Sequence, residues 1–485
     1  NLFYILCYIL FMEVIDMKKI NFPENFDWGT ASSGPQSEGS KDKLHESVWD
    51  YWYKKDKDRF FEKVGPKVTC DSYHRYKEDI KIMKELGLKS FRTSIQWTRL
   101  IKDLETGEPD PKAVEFYNSY IDEMIANGIE PVMNLFHFDT PIQLEKEYGG
   151  FKSKIVAELY IKFAVTAFKL FGDRVKRWIT FNEPVAHTKG AYLHDFIYPN
   201  ELNTKSFAQA SYNILLAHVG ASKAYRELNL GGEIGIVVDL LPPIPRSSEP
   251  ADLYASRVAD LFFNLIFMDP CVKGEYDDEY IEILEKHHCM FDYTMEEFEL
   301  IKKNTVDFIG INYYQPQRVK APTFTPNINA PFTPNWYFED YSMPNRRMNI
   351  YRGWEIYPKT IYDIAMRVKN EYGNIKWFIS ENGMGVQDEV RFLNKDGIIE
   401  DDYRIEFIKE HLEWLSKAMD EGSNCQGYHL WTFVDNWSWT NAYKNRYGYV
   451  SLDLKTRNRT IKKSGYWIKK VIEENGFEAL EDKYE

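Results

Sequence analysis

Cysteine is scarce in this chain: Cys7, Cys70, Cys271, Cys289 and Cys425 are the only five in 485 residues. They are odd in number and scattered, with no C-x-x-C pair, which argues against a disulfide scaffold and fits a reducing compartment. His287, His288 and Cys289 are consecutive. Neighbouring side chains rarely converge on one ion without partners elsewhere, so they read as a surface helix end and no metal site is expected. Basic charge is in deficit as well. A net charge of −13 gives no footprint for nucleic-acid phosphates, though it leaves room for a local cationic pocket. No Gly/Ser tract, low-complexity block or internal repeat marks a linker, so one domain is expected. G-x-G-x-x-G, the P-loop, G-x-S-x-G and H-E-x-x-H are all missing, and no cofactor is implied.

Long apolar runs are rare too. Leu2 to Met12 is the clearest. It is short for a membrane span, with no basic residues ahead of it and no small-residue cleavage site behind. Met17-Lys18-Lys19 looks like a natural beginning. Residues 1–16 are therefore expected to be an upstream extension outside the fold, with 17–485 forming the domain; a membrane anchor is the alternative.

What is present is an alternation of two textures. Short β-like runs occur at Phe26–Ala31, Ser90–Ile95, Glu130–Phe136, Trp178–Glu183, Glu233–Leu240, Phe308–Tyr314, Trp377–Glu381 and Gly427–Phe433. Between them lie segments with helical spacing, such as Tyr76–Leu86, Ala113–Ile125, Ile155–Phe171 and Tyr403–Met419. In the first, Tyr76, Ile80, Met83 and Leu86 form an apolar stripe, with Lys77, Glu78, Lys81 and Glu85 left for solvent. Pro358 followed by Ile361, Ile364, Ala365 and Val368 reads as a helix opening with Pro in its first turn. Eight β-runs separated by helices predict an α/β fold, a single (β/α)8 TIM barrel. Ser40–Val68, Leu241–Pro250 and Gln315–Arg352, rich in Pro, aromatics and charge, are expected to be long loops on its active face. Aromatics make up 16% of the chain; such rings suit sugar faces but fill large cores equally well.

Two of the runs end alike. Ile379-Ser380-Glu381-Asn382-Gly383 delivers a carboxylate and breaks at Asn-Gly, a strong turn signal. Thr180-Phe181-Asn182-Glu183-Pro184 delivers another just before a proline. A glutamate leaving a strand is ordinarily a solvated loop residue. In a barrel, however, strands four and seven face one another across the mouth, and C-terminal strand ends carry the chemistry. Other strand ends are polar too: Gln36, Arg92, His137 with Asp139, Asn312 with Tyr314, and Trp431. Two carboxylates in such a pocket suit glycoside hydrolysis, one protonated to assist the leaving oxygen and one ionised to attack or to activate water. Arg92 and Tyr314 would keep Glu381 ionised; Glu183 is the natural acid/base.

These motifs resemble the acid/base and nucleophile signatures of family 1 glycoside hydrolases, retaining β-glycosidases on a (β/α)8 barrel. The resemblance spans Phe22 to Phe477, opening on Phe22-Pro23-Glu24-Asn25-Phe26-Asp27-Trp28-Gly29-Thr30-Ala31. It implies that Gln36, His137 and Asn182 contact the glycone hydroxyls, that Asn312 also binds the substrate, that Arg92 and Tyr314 are neighbours of the nucleophile, and that Trp431 is the platform beneath the sugar. Where neutral β-glucosidases carry a Glu seven residues after that Trp, this chain has Ser438. The 6-phospho-β-glycosidases are similar here, with a Ser followed by a Lys and a Tyr. Tyr447 matches the Tyr, but the Lys position falls on Asn445, between Lys444 and Arg446, so either Lys444 or Asn445 is expected at the phosphate. The bland reading leaves Lys444 and Arg446 as solvated charges and Ser438 as a spacer. Trp439 resembles the Trp of 6-phospho-β-galactosidases.

The resemblance thus implies a cytoplasmic retaining 6-phospho-β-glucosidase or 6-phospho-β-galactosidase acting on a small phosphorylated β-glycoside, with no nucleic-acid or membrane partner and homo-oligomerisation left open. The alternatives are a neutral β-glucosidase or β-galactosidase and a non-catalytic sugar-phosphate-binding protein.

Overall fold

A computed structural model describes residues 17–480; the expected extension at 1–16 lies outside them. Eight parallel strands close into a barrel: β1 (Asp27–Ala31), β2 (Ser90–Ser94), β3 (Glu130–Asn134), β4 (Arg177–Asn182), β5 (Glu233–Asp239), β6 (Phe308–Asn312), β7 (Trp377–Asn382) and β8 (Cys425–Trp431). Each pairs with its sequence neighbours, and β8 returns to β1 with Gly427 opposite Asp27 and Trp431 opposite Ala31. All eight expected strands are present, with ends shifted by one or two residues. Both faces of each are covered, one by barrel filling and the other by helices, which is why they read as nearly continuous apolar runs. Val132, Ile179, Val237, Phe308 and Phe378 form one interior cluster from five different strands.

The helices follow the same logic. In Ser72–Glu85 the stripe residues Ile80 and Met83 are buried, as is Leu86 just beyond, while Lys77, Lys81 and Glu85 face solvent. Ile361, Ile364, Ala365 and Val368 are buried in Thr360–Glu371. Pro358 stands two residues ahead of that helix, not in its first turn. Helix Thr204–Glu227 had no clear amphipathic signature, because it is buried without a break from Ala210 to Val219. An antiparallel pair, Met17–Asn21 with Gly476–Leu480, joins the two ends of the described fold. Among the described residues no helix is long and apolar enough to cross a membrane.

The active-face loops carry more structure than their composition suggested. Ser40–Val68 contains a helix, Val48–Lys55, started by a capping box between Ser47 and Asp50. Parts of the other two loops meet: Gln317–Lys320 pairs with Pro243–Pro245 on one side and Glu339–Asp340 on the other. His287 closes helix Asp278–Lys286 and stacks on Phe332 with ring centroids 3.8 Å apart.

Candidate active site

The C-terminal ends of the strands bring the two glutamates together through Asn312. On β6, Asn312 lies in register with Glu381 on one side and Asp239 on the other. Its Nδ2 donates to Glu183 Oε1 over 2.7 Å and to Asn182 Oδ1 over 3.1 Å. Glu183 itself sits in the left-handed region, φ 45° and ψ 60°, at the N-cap of helix Pro184–Tyr192, with its amide donating to Val237 O. A non-glycine residue there is strained, and such strain concentrates at working sites.

Glu381 is held from two directions. Tyr314 Oη donates to its Oε2 over 2.6 Å. The fully buried Arg92 places Nη2 2.7 Å from its Oε1, close enough for charge pairing though out of line for a hydrogen bond. Arg92 also donates to Asn182 Oδ1. Burial pushes both carboxyls above their usual range, but unequally. At Glu381, Arg92, Tyr314 and Asn312 counter the burial. At Glu183 burial is reinforced by the charges of Glu381 and Asp239, and only Asn312 and Arg92 oppose it, so its carboxyl rises well above the usual value. A shared proton therefore rests on Glu183 rather than on Glu381. Glu183 nevertheless keeps a solvent-reachable edge in the cleft.

A polar and aromatic wall surrounds the pair. His137 is held neutral by burial and by Arg92. Its ring lies parallel to Trp431 at 5.9 Å and to Trp439 at 6.1 Å. Asn182 Nδ2 stands 3.5 Å from His137 Nε2. Gln36 Nε2 donates to Trp437 O over 3.0 Å while its Oε1 accepts from Ser33 Oγ. Trp439 stacks on Trp49 at 4.5 Å, which ties the tail to the helix hidden in the first loop. The turn reading of Asn382-Gly383 needs revision. Asn382 is still strand, donating to Tyr313 O over 2.7 Å and accepting from Tyr428 Oη. A Cβ on Gly383 would lie 1.9 Å from Trp431 O, so glycine is required there for close approach.

The tail residues divide. Ser438 is half-buried, and Tyr447 packs with Ala31 and Trp431 against Tyr314 and Trp354. Asn445 is buried, with Nδ2 donating to Tyr351 O over 3.3 Å and Oδ1 unpartnered. Lys444 carries its ammonium 5.8 Å from the Phe61 ring centroid. Arg446 lies over Tyr443, with Nη1 3.9 Å from Asp435 Oδ2.

Three residues around the site escaped sequence reasoning. Asp239 ends β5 and its carboxyl is pushed up to about 7 by burial; the strand-end rule that found Glu183 and Glu381 applies equally to it. Arg352 and Trp354 lay in and just beyond a stretch noted only for its composition, and no local signal marks them.

Comparison with known proteins agrees with this geometry. The model of glycosyl hydrolase family 1 matches residues 18–477. The 6-phospho-beta-glucosidase GmuD of Bacillus subtilis is 54% identical, covering 95% of this chain and 99% of that protein. A 6-phospho-beta-galactosidase of Clostridium acetobutylicum is 37% identical over 93% of this chain and 97% of its own. Among solved structures, the family 1 b-glucosidase from Thermotoga maritima superposes with a TM-score of 0.87 at 33% identity, covering 95% of this chain and 100% of that one.

Proposed function

Because this chain belongs to glycosyl hydrolase family 1, we propose that it hydrolyses 6-phospho-β-glycosides with retention, releasing a sugar 6-phosphate and an aglycone. In the first step Glu381 attacks the anomeric carbon while Glu183 gives its proton to the leaving oxygen, forming a glycosyl-enzyme ester. In the second, Glu183 takes a proton from water, the water oxygen bonds to the anomeric carbon, and Glu381 departs as carboxylate. The unequal environments of the two carboxyls support this division of labour. Trp431 lies beneath the sugar ring, and Gln36, His137 and Asn182 receive its hydroxyls.

The observation that carries the phosphate specificity is Ser438. A carboxylate there would repel a phosphate, which has a charge of about −1.5 to −2 at neutral pH, whereas a hydroxyl donates to it. Asn445 and Tyr447 supply further neutral donors, and Trp439 borders the same end of the sugar. Phosphorylated glycosides are made on the inner side of a membrane by phosphorylating uptake, so we place the reaction in the cytoplasm. The likeness to a b-glucosidase of Thermotoga maritima keeps a neutral-sugar reading open to test. Comparing kcat/KM on p-nitrophenyl β-glucoside and β-galactoside with their 6-phosphates decides between them. The phosphorylated forms are expected to be preferred, and preference for the neutral ones would overturn the assignment.

A further inference from the structure

We propose that Arg352, from the loop between β6 and β7, is the cation that anchors the substrate's 6-phosphate, an inference that rests on the phosphate reading above. Ser438, Asn445 and Tyr447 are all neutral, and a phosphate drawn out of water by neutral donors alone pays a large desolvation penalty. The two cations of the tail loop are engaged elsewhere, Lys444 beside Phe61 and Arg446 between Tyr443 and Asp435.

Arg352 meets the tail from the opposite side. Its guanidinium lies over Trp354, Cζ 4.1 Å from the ring centroid, and Trp354 packs against the cluster of Ala31, Trp431 and Tyr447. Its positive charge also lowers the Tyr447 hydroxyl's pKa against the effect of burial, which places the two side chains near one another. The loop bearing it is fastened to both neighbours. Arg352 N donates to Asn349 O over 3.2 Å, and Asn349 Nδ2 to Gly385 O over 2.9 Å. Gly385 abuts the Tyr447 ring so closely that a Cβ would stand 2.4 Å from its Cζ. Asn445 donates to the carbonyl of Tyr351, the residue beside Arg352.

Charge bookkeeping on that loop leaves Arg352 available. Glu355, the nearest acidic residue in sequence, is committed to Arg318 at 2.8 Å. Among the described residues no carboxylate pairs with Arg352, and its Nε is buried without a partner. A guanidinium held over an indole keeps its fork pre-organised for bidentate contact with phosphate oxygens, which an ammonium does not match.

The test measures kcat/KM for p-nitrophenyl β-glucoside 6-phosphate and for the unphosphorylated glycoside with wild type, Arg352→Gln and Arg352→Lys, after thermal melts confirm folding. The ratio of the two values is expected to fall about 100-fold in Arg352→Gln, mainly through KM, with an intermediate ratio in Arg352→Lys. Inhibition by glucose 6-phosphate should weaken in parallel. An unchanged ratio in Arg352→Gln, or the larger loss in Lys444→Ala, overturns the role of Arg352 while leaving the phosphate reading intact. A wild-type preference for the neutral glycoside overturns both.

Discussion

Asn312 donates its amide to Glu183 Oε1 over 2.7 Å and to Asn182 Oδ1 over 3.1 Å, from a backbone position in strand register with Glu381. Its amide lowers the pKa of both carboxyls, Glu183 and Glu381. In a bell-shaped profile of kcat/KM the acidic limb reports Glu381 losing its proton and the basic limb reports Glu183 losing its own. Asn312→Ala removes a stabiliser of both anions, so both limbs are expected to move to higher pH, with kcat down roughly 10- to 100-fold. A profile that keeps its position would separate Asn312 from the pair.

Asp239 acts on Glu183 with the opposite sign. Its charge helps raise the Glu183 pKa, and its own carboxyl is pushed up to about 7, so it gains this charge in the neutral range. Asp239→Asn removes the charge and should shift the basic limb to lower pH. The measurement is the same pH series, and a basic limb that moves up instead would contradict the electrostatic account.

How much of this was legible beforehand follows from where each signal resides. The barrel strands are short apolar runs because they are buried on both faces, and Glu183 and Glu381 stand at their polar ends, so composition along the chain exposes both. Helix Thr204–Glu227 was not legible, since burial from Ala210 to Val219 erases the amphipathic period. Gly383 was read as a turn residue, yet its reason is the carbonyl of Trp431, a neighbour only in three dimensions. Arg352 was invisible for a similar reason: nothing near it in sequence shows that Tyr447 and Trp354 will frame it.

The two glutamates should fail differently. Glu381→Gln is expected to lower kcat by about 10⁴-fold or more for every substrate, because no other group forms the ester. Glu183→Gln should still form the ester from a 2,4-dinitrophenyl glycoside 6-phosphate, whose leaving group needs no proton, and then stall at hydrolysis. Rapid-mixing experiments should therefore show a burst in Glu183→Gln and none in Glu381→Gln. A burst in the latter would reverse the assignment.

Stability can be probed away from the chemistry. In the middle of β1, a Cβ on Gly29 would lie 2.3 Å from His429 Nε2 and 2.5 Å from Ser90 Oγ. These groups hydrogen-bond to one another and to Asp27, which pairs with Arg177 at 2.7 Å. Gly29→Ala overpacks this network and should cost about 1–3 kcal/mol in urea unfolding, while the folded fraction keeps its kcat. An unchanged midpoint would mean that the barrel floor relaxes more easily than its contacts indicate.

Ser438→Glu tests the specificity directly. The new carboxylate would stand at the proposed phosphate end of the sugar, next to Trp439 in the chain, and no other charge in the tail loop is placed to neutralise it: Lys444 lies by Phe61 and Arg446 by Asp435. Repulsion between a carboxylate and a phosphate across a partly dehydrated site costs several kcal/mol, which sets an expected loss of about 10²- to 10³-fold in kcat/KM for the phosphorylated glycoside. The neutral glycoside meets no such repulsion and gains an acceptor for its hydroxyls, so its kcat/KM should rise. Arg352 turns this into a sharper comparison. If its guanidinium faces the phosphate, it can pair with the introduced Glu, and Ser438→Glu combined with Arg352→Gln should lose less than the product of the two single losses. Strictly multiplicative losses would mean that the two positions act on the phosphate independently.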